Sequence, residues 1–326
     1  MAAARTPITG RGMSRFDITL AGEANLDLLL HGLPEDLPTD RELLADGMAL
    51  ALGGSAAITA HNLAALGSSV GFVTIDSGDL FARFCMDELS TAGVDLSRSV
   101  RSPHSMGNGG GTGVSVLIEH RRSRRTLTYP GATHHLHFED LDLDYLASAR
   151  HFHLSSYFLL ENLRKDVPRL FDHLKKSGLT LSLDPNDDPQ NEWGDDFLEV
   201  LRYVDVLMPN EREACAIARE SDPKAALHKL AARIPLIVVK QGARGATAIQ
   251  NGRCLHVEPP DVSPVDAVGA GDSFNAGFLH AFVSGLEVEA CMRLGNLAGA
   301  FSTTAAGGTQ ALRNRDAFTR FAATLR

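Results

Sequence analysis

The chain has 326 residues, of which 44% are hydrophobic and 22% charged, a composition that suits one large or two ordinary globular domains. Its formal net charge of −9 argues against a nucleic-acid-binding surface. No apolar run in the sequence approaches the length of a membrane span. The four cysteines are far apart and show no paired or zinc-binding spacing, so we expect reduced thiols in a cytoplasmic protein.

Residues 1–15 carry three arginines but no apolar segment, which predicts a loose N-terminal tail rather than a signal peptide. Met13 is a second candidate for the first residue of the protein. From residue 16 onward, strand patterns alternate with helix patterns. This alternation predicts one α/β domain over residues 16–326, with a mostly parallel, doubly wound sheet, helices on both faces and right-handed crossovers.

The first predicted strand ends in two polar residues, Asn25 and Asp27, which follow Gly22. The carboxyl ends of strands are where open α/β sheets bind ligands, so these side chains are candidates for substrate contact. Asn and Asp are also common in ordinary turns, and that alternative stays open.

Residues 266–274 have the sequence Asp-Ala-Val-Gly-Ala-Gly-Asp-Ser-Phe and precede an apolar run of helical length. The small residues Gly269, Ala270 and Gly271 let a phosphate approach the free N–H groups and the positive end of the helix dipole. Such donors stabilise charge on a transferring phosphoryl group. Asp272 is placed to accept a proton from an attacking hydroxyl, although it also fits a simple first-turn aspartate.

Residues 266–272 resemble the C-terminal signature of the PfkB, or ribokinase-like, carbohydrate kinases. The resemblance continues through Phe278 and reappears in order over residues 16–315. It implies a ribokinase-like three-layer fold, in which residues 29–52 and 112–130 are inserted into the kinase domain as a small β-sheet lid over the active site.

The implied activity is ATP-dependent: the γ-phosphoryl of Mg-ATP passes to a hydroxyl of a small carbohydrate, with Asp272 as the base and residues 269–271 as the anion hole. A nucleoside, sugar-acid or phosphosugar kinase of the same superfamily remains an alternative. A non-catalytic ligand sensor on this fold is a remoter one, because a protein that only binds has no need of the base.

The resemblance also implies a sugar site formed by Asn25, Asp27, Gly53, Gly54 and Ser155. Three positions depart from the ribokinase pattern. Ser55 replaces a lysine, Ile58 replaces a sugar-binding asparagine, and Ser155 replaces an acidic ribose ligand. These departures argue against a standard ribose pocket. Asn62, one turn after Ile58, is interpreted as a solvated or capping residue.

Asn210 and Glu213 lie one turn apart at a predicted helix start. By resemblance this pair organises the hydration shell of Mg²⁺ and the phosphates, which suits a hard cation that keeps its waters. Taken alone, the pair is also a helix cap. Lys240 follows a strand and is placed to neutralise phosphate oxygens. The other nucleotide contacts that the resemblance implies are Gly242, Gly245 and Asn296.

Two further expectations concern a second cation and a partner. By resemblance, the loop carbonyls of Asp266 and Val268 bind K⁺. An exposed apolar lid sheet needs a covering surface, so we expect a homodimer formed through the lids.

Four other features have weaker interpretations. The glycine-rich residues 107–113 lack the spacing of a dinucleotide loop and precede a strand. A basic hairpin tip, from Arg121 to Arg125, is interpreted as solvated or as a contact for a phosphosugar. His151 and His153 alternate on one strand, and no histidine spacing matches a metal site. Residues 162–177 are predicted to form one helix.

Overall fold

The protein is described by a computed structural model that covers residues 14–102, 110–119 and 124–324. Its strands are, in chain order, β1 Phe16–Ala21, β2 Asn25–His31, β3 Gly47–Gly53, β4 Val70–Val73, β5 Ile75–Asp76, β6 Val100–Arg101, β7 Val114–Glu119, β8 Arg124–Tyr129, β9 Ala149–Ser155, β10 Thr180–Asp184, β11 Val206–Leu207, β12 Leu236–Lys240, β13 Ala246–Gln250 and β14 Arg253–Val257. Its α-helices are α1 Ser55–Leu66, α2 Leu80–Ala92, α3 Leu143–Ala147, α4 Glu161–Arg164, α5 Val167–Lys176, α6 Asp195–Val200, α7 Glu211–Ala218, α8 Pro223–Ala231, α9 Ala270–Val283, α10 Val288–Ser302 and α11 Arg315–Ala323.

The main sheet has the strand order β14-β13-β12-β11-β10-β9-β1-β4. Neighbouring strands from β4 to β12 pair in parallel, and β13 and β14 add an antiparallel edge. The chain first moves from β1 outward to β4 and later continues on the other side through β9. This reversal of direction at β1 brings the carboxyl ends of β1, β9 and β10 to the crevice where such sheets bind ligands.

Two hydrophobic clusters fill the space on the two faces of this sheet. One contains Phe152 and Phe171, with β9 and α5. The other contains Ile18, Phe72 and Phe278, where α9 covers the opposite face. A strand that is covered on both faces of the sheet has a continuous apolar sequence, as β12 does. The predicted three-layer α/β architecture is confirmed.

A separate four-stranded sheet has the order β3-β2-β7-β8. Its inner face packs Leu29 and Leu117 against Val268, on the loop that precedes α9. On the same sheet, the side chains of Met48 and Leu127 are 64% and 61% exposed. The strands of its first segment begin at Asn25 and end at Gly53, outside the predicted limits of 29–52.

The prediction of one helix over residues 162–177 is wrong. The chain forms α4 and α5, separated at Asp166, whose φ of −101° and ψ of 0° are not helical. Pro168 explains the break, because proline belongs in the first turn of a helix and removes an interior hydrogen bond elsewhere.

The interpretation of Asn62 as solvated or capping is also wrong. Asn62 is fully buried in the middle of α1, a helix that packs against α9 and α2. Its amide nitrogen donates to the Ser273 hydroxyl at 2.9 Å and to the Gly308 carbonyl at 3.0 Å. The amide therefore ties α1 to α9 and to the loop that follows α10.

Among the helices of the described residues, none combines the length and the apolar composition that crossing a bilayer would take.

Candidate active site

A cavity of about 1640 Å³ runs along the carboxyl ends of β10 and β12. It is bounded by the turn after β12 and by the first turn of α9. The predicted nucleotide and phosphate residues that line it are Asn210, Glu213, Lys240, Gly242, Gly245, Gly269, Ala270, Gly271, Asp272 and Asn296. These residues come from four separated stretches of the chain, and the fold brings them to one cavity.

The phosphate end of the cavity is the first turn of α9. Gly269 precedes the helix with a φ of 69°, the left-handed region that favours glycine. A Cβ atom there would lie 2.5 Å from the Gly308 Cα, so no larger residue fits. The Ala270 N–H donates to the Ala267 carbonyl at 3.3 Å, so the N–H groups of Gly271 and Asp272 are the ones that this turn offers to an anion.

Asp272 lies in that first helical turn and is mostly buried. Its Oδ1 accepts a hydrogen bond from the Ser55 hydroxyl, at the start of α1. Burial, reinforced by the Asp184 carboxylate, raises the pKa of Asp272 to about 7, against opposing contributions from the Ser55 hydroxyl and Lys240. A carboxyl group with a pKa near the working pH is suited to accept a proton.

Lys240 ends β12 and forms an ion pair with Asp184, which ends β10. The side chains are 13% and 3% exposed. Asn275 on α9 completes the group by donating from its amide to Asp184 at 2.5 Å. Burial alone would lower the pKa of Lys240, but the Asp184 and Glu213 carboxylates outweigh it, so the pKa lies above its usual value. The ammonium lies 3.5 Å from where a Gly271 Cβ would be, beside the phosphate end.

Asn210 and Glu213 form a reciprocal cap at the start of α7. Asn210 Oδ1 accepts from the Glu213 N–H at 2.9 Å, and Glu213 Oε2 accepts from the Asn210 N–H at 3.0 Å. Glu213 is 4% exposed. Burial raises the pKa of Glu213 to about 7, the Asp184 carboxylate adds to that, and Lys240 opposes it. The cap fixes the pair at the cavity wall beside Lys240.

The far end of the cavity contains Asn296 on α10, whose amide donates to the Val257 carbonyl at 2.8 Å. Gly242 and Gly245 bound the tight turn after β12, and Gly245 lies against the same Val257 carbonyl. The cavity as a whole is lined by both polar and apolar residues.

The predicted sugar residues do not line this cavity. Asn25 and Asp27 are 3% and 5% exposed, at the start of the lid strand β2. The Asp27 carboxylate lies against Gly53 on the paired strand β3. Ser155, at the end of β9, is fully buried and its hydroxyl is 3.0 Å from His153 Nε2. The predicted sugar residues Asn25, Asp27 and Ser155 are therefore buried in this conformation.

The sequence analysis missed three polar residues of the site. Asp184 and Asn186 have a sequence typical of a turn after a strand and were given no role in the site, although both line the cavity. Glu23 was passed over between Gly22 and Asn25, yet it is 1% exposed and its Oε2 is a buried atom without a partner in the described part of the chain. A carboxylate directly after a buried strand was the available signal.

Asp266 lies in the loop predicted to bind K⁺. Its carboxylate accepts from the N–H groups of Val268 at 2.8 Å and Gly307 at 2.7 Å. The side chain is therefore committed to holding the two loops together, and the carbonyl oxygens of Asp266 and Val268 are the groups that remain for a cation.

The two strand histidines belong to the interior of the main sheet. His151 Nε2 and His153 Nδ1 both lie 2.7 Å from the Ser182 hydroxyl. Burial lowers the pKa of His153 to about 3, so the ring is neutral. No group of three or more metal-binding side chains occurs in residues 14–102, 110–119 and 124–324. Residues 121–123 of the basic hairpin tip and residues 107–109 of the glycine-rich stretch lie outside the described residues.

Known proteins are similar to this chain in sequence and in fold. The fructokinase of Klebsiella pneumoniae is 30% identical over 296 residues, 84% of this chain and 94% of its own. The ATP-dependent ribose-1-phosphate kinase of Halopiger xanaduensis is 30% identical over 297 residues, 89% of this chain and 93% of its own. The adenosine kinase of Sinorhizobium meliloti has a similar fold, with a TM-score of 0.81, 24% identity, and coverage of 93% and 98%.

The ribokinase-like fold predicted from the sequence is therefore confirmed. Residues 17–315 match the description of the pfkB family carbohydrate kinases. The chain belongs to this family of ATP-using kinases, phosphotransferases that act on an alcohol group.

Proposed function

We propose that the protein transfers the γ-phosphoryl group of ATP to a hydroxyl of a small carbohydrate, with Asp272 as the general base. The observation that carries this proposal is the position of Asp272, in the first turn of α9 and at the end of the nucleotide cavity, with a pKa raised to about 7. Residues 269–271 are the proposed anion hole.

The acceptor hydroxyl attacks the γ-phosphorus while its proton passes to the free oxygen of Asp272. The new O–P bond forms as the bond to the leaving ADP oxygen breaks. The N–H groups of Gly271 and its neighbours stabilise the charge that develops on the phosphoryl oxygens. Lys240 adds a positive charge at the same end, held in place by Asp184.

The charges of the cavity fit a divalent cation. Asp184, Glu213 and Asp272 surround a single ammonium, Lys240, so a bare triphosphate would enter a site with excess negative charge. Mg²⁺ keeps several waters and is held largely by nucleotide oxygens. We propose that Glu213, oriented by Asn210, binds it through water, and that the cation neutralises the phosphates.

The acceptor is proposed to bind between the lid and the carboxyl ends of β1 and β9, against Asn25, Asp27, Gly53, Gly54 and Ser155. Relatives that match most of the chain include a fructokinase, a 2-dehydro-3-deoxygluconokinase and a cytidine kinase. The acceptors in the names of these relatives differ widely. A free sugar is the main proposal, and a phosphosugar is supported by the similarity to the ribose-1-phosphate kinase.

The experiment is a screen for ADP release with Mg-ATP and K⁺, run over free hexoses, ribose, sugar acids, nucleosides and phosphosugars. Turnover with free sugars supports the main proposal, and turnover with phosphosugars alone supports the second. Omitting K⁺ tests the proposed site at the Asp266 and Val268 carbonyls. ATP binding without turnover on any acceptor would favour a ligand sensor.

We further propose a homodimer through the outer face of the lid. Leu50, Leu28, Val116 and Leu127 are directly paired across β3, β2, β7 and β8, so they form one apolar row on the same face. Leu50 and Leu127 at the two ends are 44% and 61% exposed. The mass of the protein in solution tests this proposal: Leu127→Lys should convert a dimer to a monomer, and a wild-type monomer at micromolar concentration would overturn it.

A further inference from the structure

We infer that Ser55 is a positioning residue for Asp272, and that it links this carboxylate to the buried carboxylate of Glu23. The inference rests on the proposed role of Asp272 as the base. Ser55 is the residue at which the chain departs from the lysine of typical ribokinases, so its contacts are a property of this sequence.

Ser55 contacts both carboxylates with different groups. Its hydroxyl donates to Asp272 Oδ1, 217 residues away in the sequence. Its backbone N–H donates to Glu23 Oε1 at 2.7 Å. Since Asp272 Oδ2 accepts no hydrogen bond from the residues that the structure describes, the contact at Oδ1 leaves the second oxygen for the acceptor hydroxyl.

The hydrogen bond from the Ser55 N–H to the Glu23 carboxylate fixes the position of Ser55. Glu23 is 1% exposed, and its Oε1 also accepts from the Ser156 hydroxyl at 2.6 Å. A Cβ on Gly54 would lie 2.8 Å from Glu23 Cγ, so the diglycine lets the start of α1 approach this carboxylate. Moving Ser55 away would leave a buried carboxylate with fewer donors, which is costly. The hydroxyl is therefore held in a defined place.

The Ser55 hydroxyl also has a second acceptor, Asn186 Oδ1, at 3.4 Å. Asn186 has a φ of 55°, so its backbone is in the left-handed region at the cavity wall. Once Asp272 has taken up a proton, its carboxyl group is a weaker acceptor. The Ser55 hydroxyl then has Asn186 as an alternative, so it accommodates both protonation states of the base.

Some of the charged groups that face Asp272 raise its pKa and others lower it. Asp184 at the end of β10 and Glu23 after β1 disfavour its ionised form, and Lys240 at the end of β12 favours it. The Ser55 hydroxyl is a donor to the ionised form and so favours it as well. Removing this hydroxyl should therefore raise the pKa of the base and leave its carboxylate free to rotate.

The test uses Ser55→Ala, with Ser55→Thr to retain the hydroxyl and Ser302→Ala as the matched control. Ser302 is a buried serine on α10 whose hydroxyl bonds only the Gly299 carbonyl. For Ser55→Ala we expect the acid limb of the kcat/KM profile to move up by about one pH unit, the scale of one hydrogen bond to a charged group. At pH 7 kcat should fall about tenfold, while Ser55→Thr and Ser302→Ala stay near wild type.

A second readout separates this inference from the proposed function. Carbon-13 labelling of aspartate carboxyl groups follows the titration of Asp272 in the free protein, with Asp272→Asn to assign the signal. An upward shift in folded Ser55→Ala supports the inference even if the wild type turns over no acceptor. An unchanged titration and an unchanged pH profile in folded Ser55→Ala, beside an active wild type, would overturn it and leave the kinase proposal standing.

Discussion

The two ends of the active site differ in how they are built. The residues predicted for the nucleotide line an open cavity of about 1640 Å³, mostly at strand ends and helix starts of the main α/β unit. The residues predicted for the acceptor are closed off, with Asn25, Asp27 and Ser155 at most 5% exposed. Asn25 and Asp27 lie on the separate lid sheet, whereas Ser155 ends β9 of the main sheet. We expect this division to let the acceptor site vary while the nucleotide site is retained.

The largest effect is expected where the two ends meet. Asp272→Asn keeps the shape of the side chain but removes the proton acceptor, so kcat should fall by about 10²–10⁴-fold, the usual contribution of general base catalysis. ADP release measures the loss. Asp172→Asn is the control, because that carboxylate lies on the surface of α5 and pairs with Lys176. Wild-type turnover by folded Asp272→Asn would remove the base from the mechanism.

The next effect belongs to the nucleotide end. Lys240→Met should lower kcat by about 10²–10³-fold, on the scale of losing one group that stabilises the transition state. It should also lower the free energy of unfolding by about 3–5 kcal/mol, because Asp184 is left buried without its cation. Turnover and thermal melting give the two values. Lys229→Met, which breaks the exposed pair with Glu220, should change neither, and equal behaviour of the two variants would contradict the role of Lys240.

A smaller effect is expected on the Mg²⁺ concentration that the reaction requires. Glu213→Gln retains much of the cap on α7 but loses the charge, so the Mg²⁺ concentration for half-maximal activity should rise about 10–100-fold, as for residues that orient a metal shell. A titration with Mg²⁺ at saturating ATP measures it. Glu289→Gln, in an exposed pair with Arg293, is the control. An unchanged titration would reduce the Asn210–Glu213 pair to a helix cap.

The smallest effect on activity is expected away from both ends. Asn62→Ala removes three buried hydrogen bonds, two from the amide nitrogen and one between Oδ1 and His61 Nδ1, which should lower the free energy of unfolding by about 2–4 kcal/mol. Catalysis below the melting transition should remain within a few-fold of wild type. Denaturant unfolding measures the change against Asn162→Ala on α4. A loss no larger than that of the control would show that the amide does not tie α1 to α9.

The residues predicted for the nucleotide meet in one cavity, whereas Asn62 was misinterpreted and Glu23 was missed, and this difference has a physical reason. Phosphate binding relies on local patterns, such as the small residues before Asp272, and a local pattern is visible in a single stretch of sequence. The Asn62 amide and the Glu23 carboxylate instead contact residues 211 and 32 positions away. Such contacts depend on which elements pack together, so a polar residue on a small-residue helix was misread as solvated.

The same limit applies to the missed Asp184 and Asn186. Their Asp-Pro-Asn sequence predicts a turn, and in the structure Asp184 ends β10 and is followed by an irregular segment in which Asn186 has a φ of 55°. What the sequence could not show is that this segment lies beside Lys240 and Ser55. The fold class followed from the alternation of strands and helices, which needs no long-range contact to be recognised.

The most direct test of the central claim is the pH dependence of kcat/KM for the wild type and Asp272→Asn. Because the ionised carboxylate is the active form of the base, the rate should rise with pH through about 7 and level off above it. The comparison with Asp272→Asn is needed because the pKa of Glu213 is also raised to about 7. We predict that the limb disappears in Asp272→Asn and persists in Glu213→Gln. Two results would contradict the account: an acid limb of the kcat/KM profile near 3.8, the ordinary pKa of an aspartate, or an acid limb near 7 that Asp272→Asn retains.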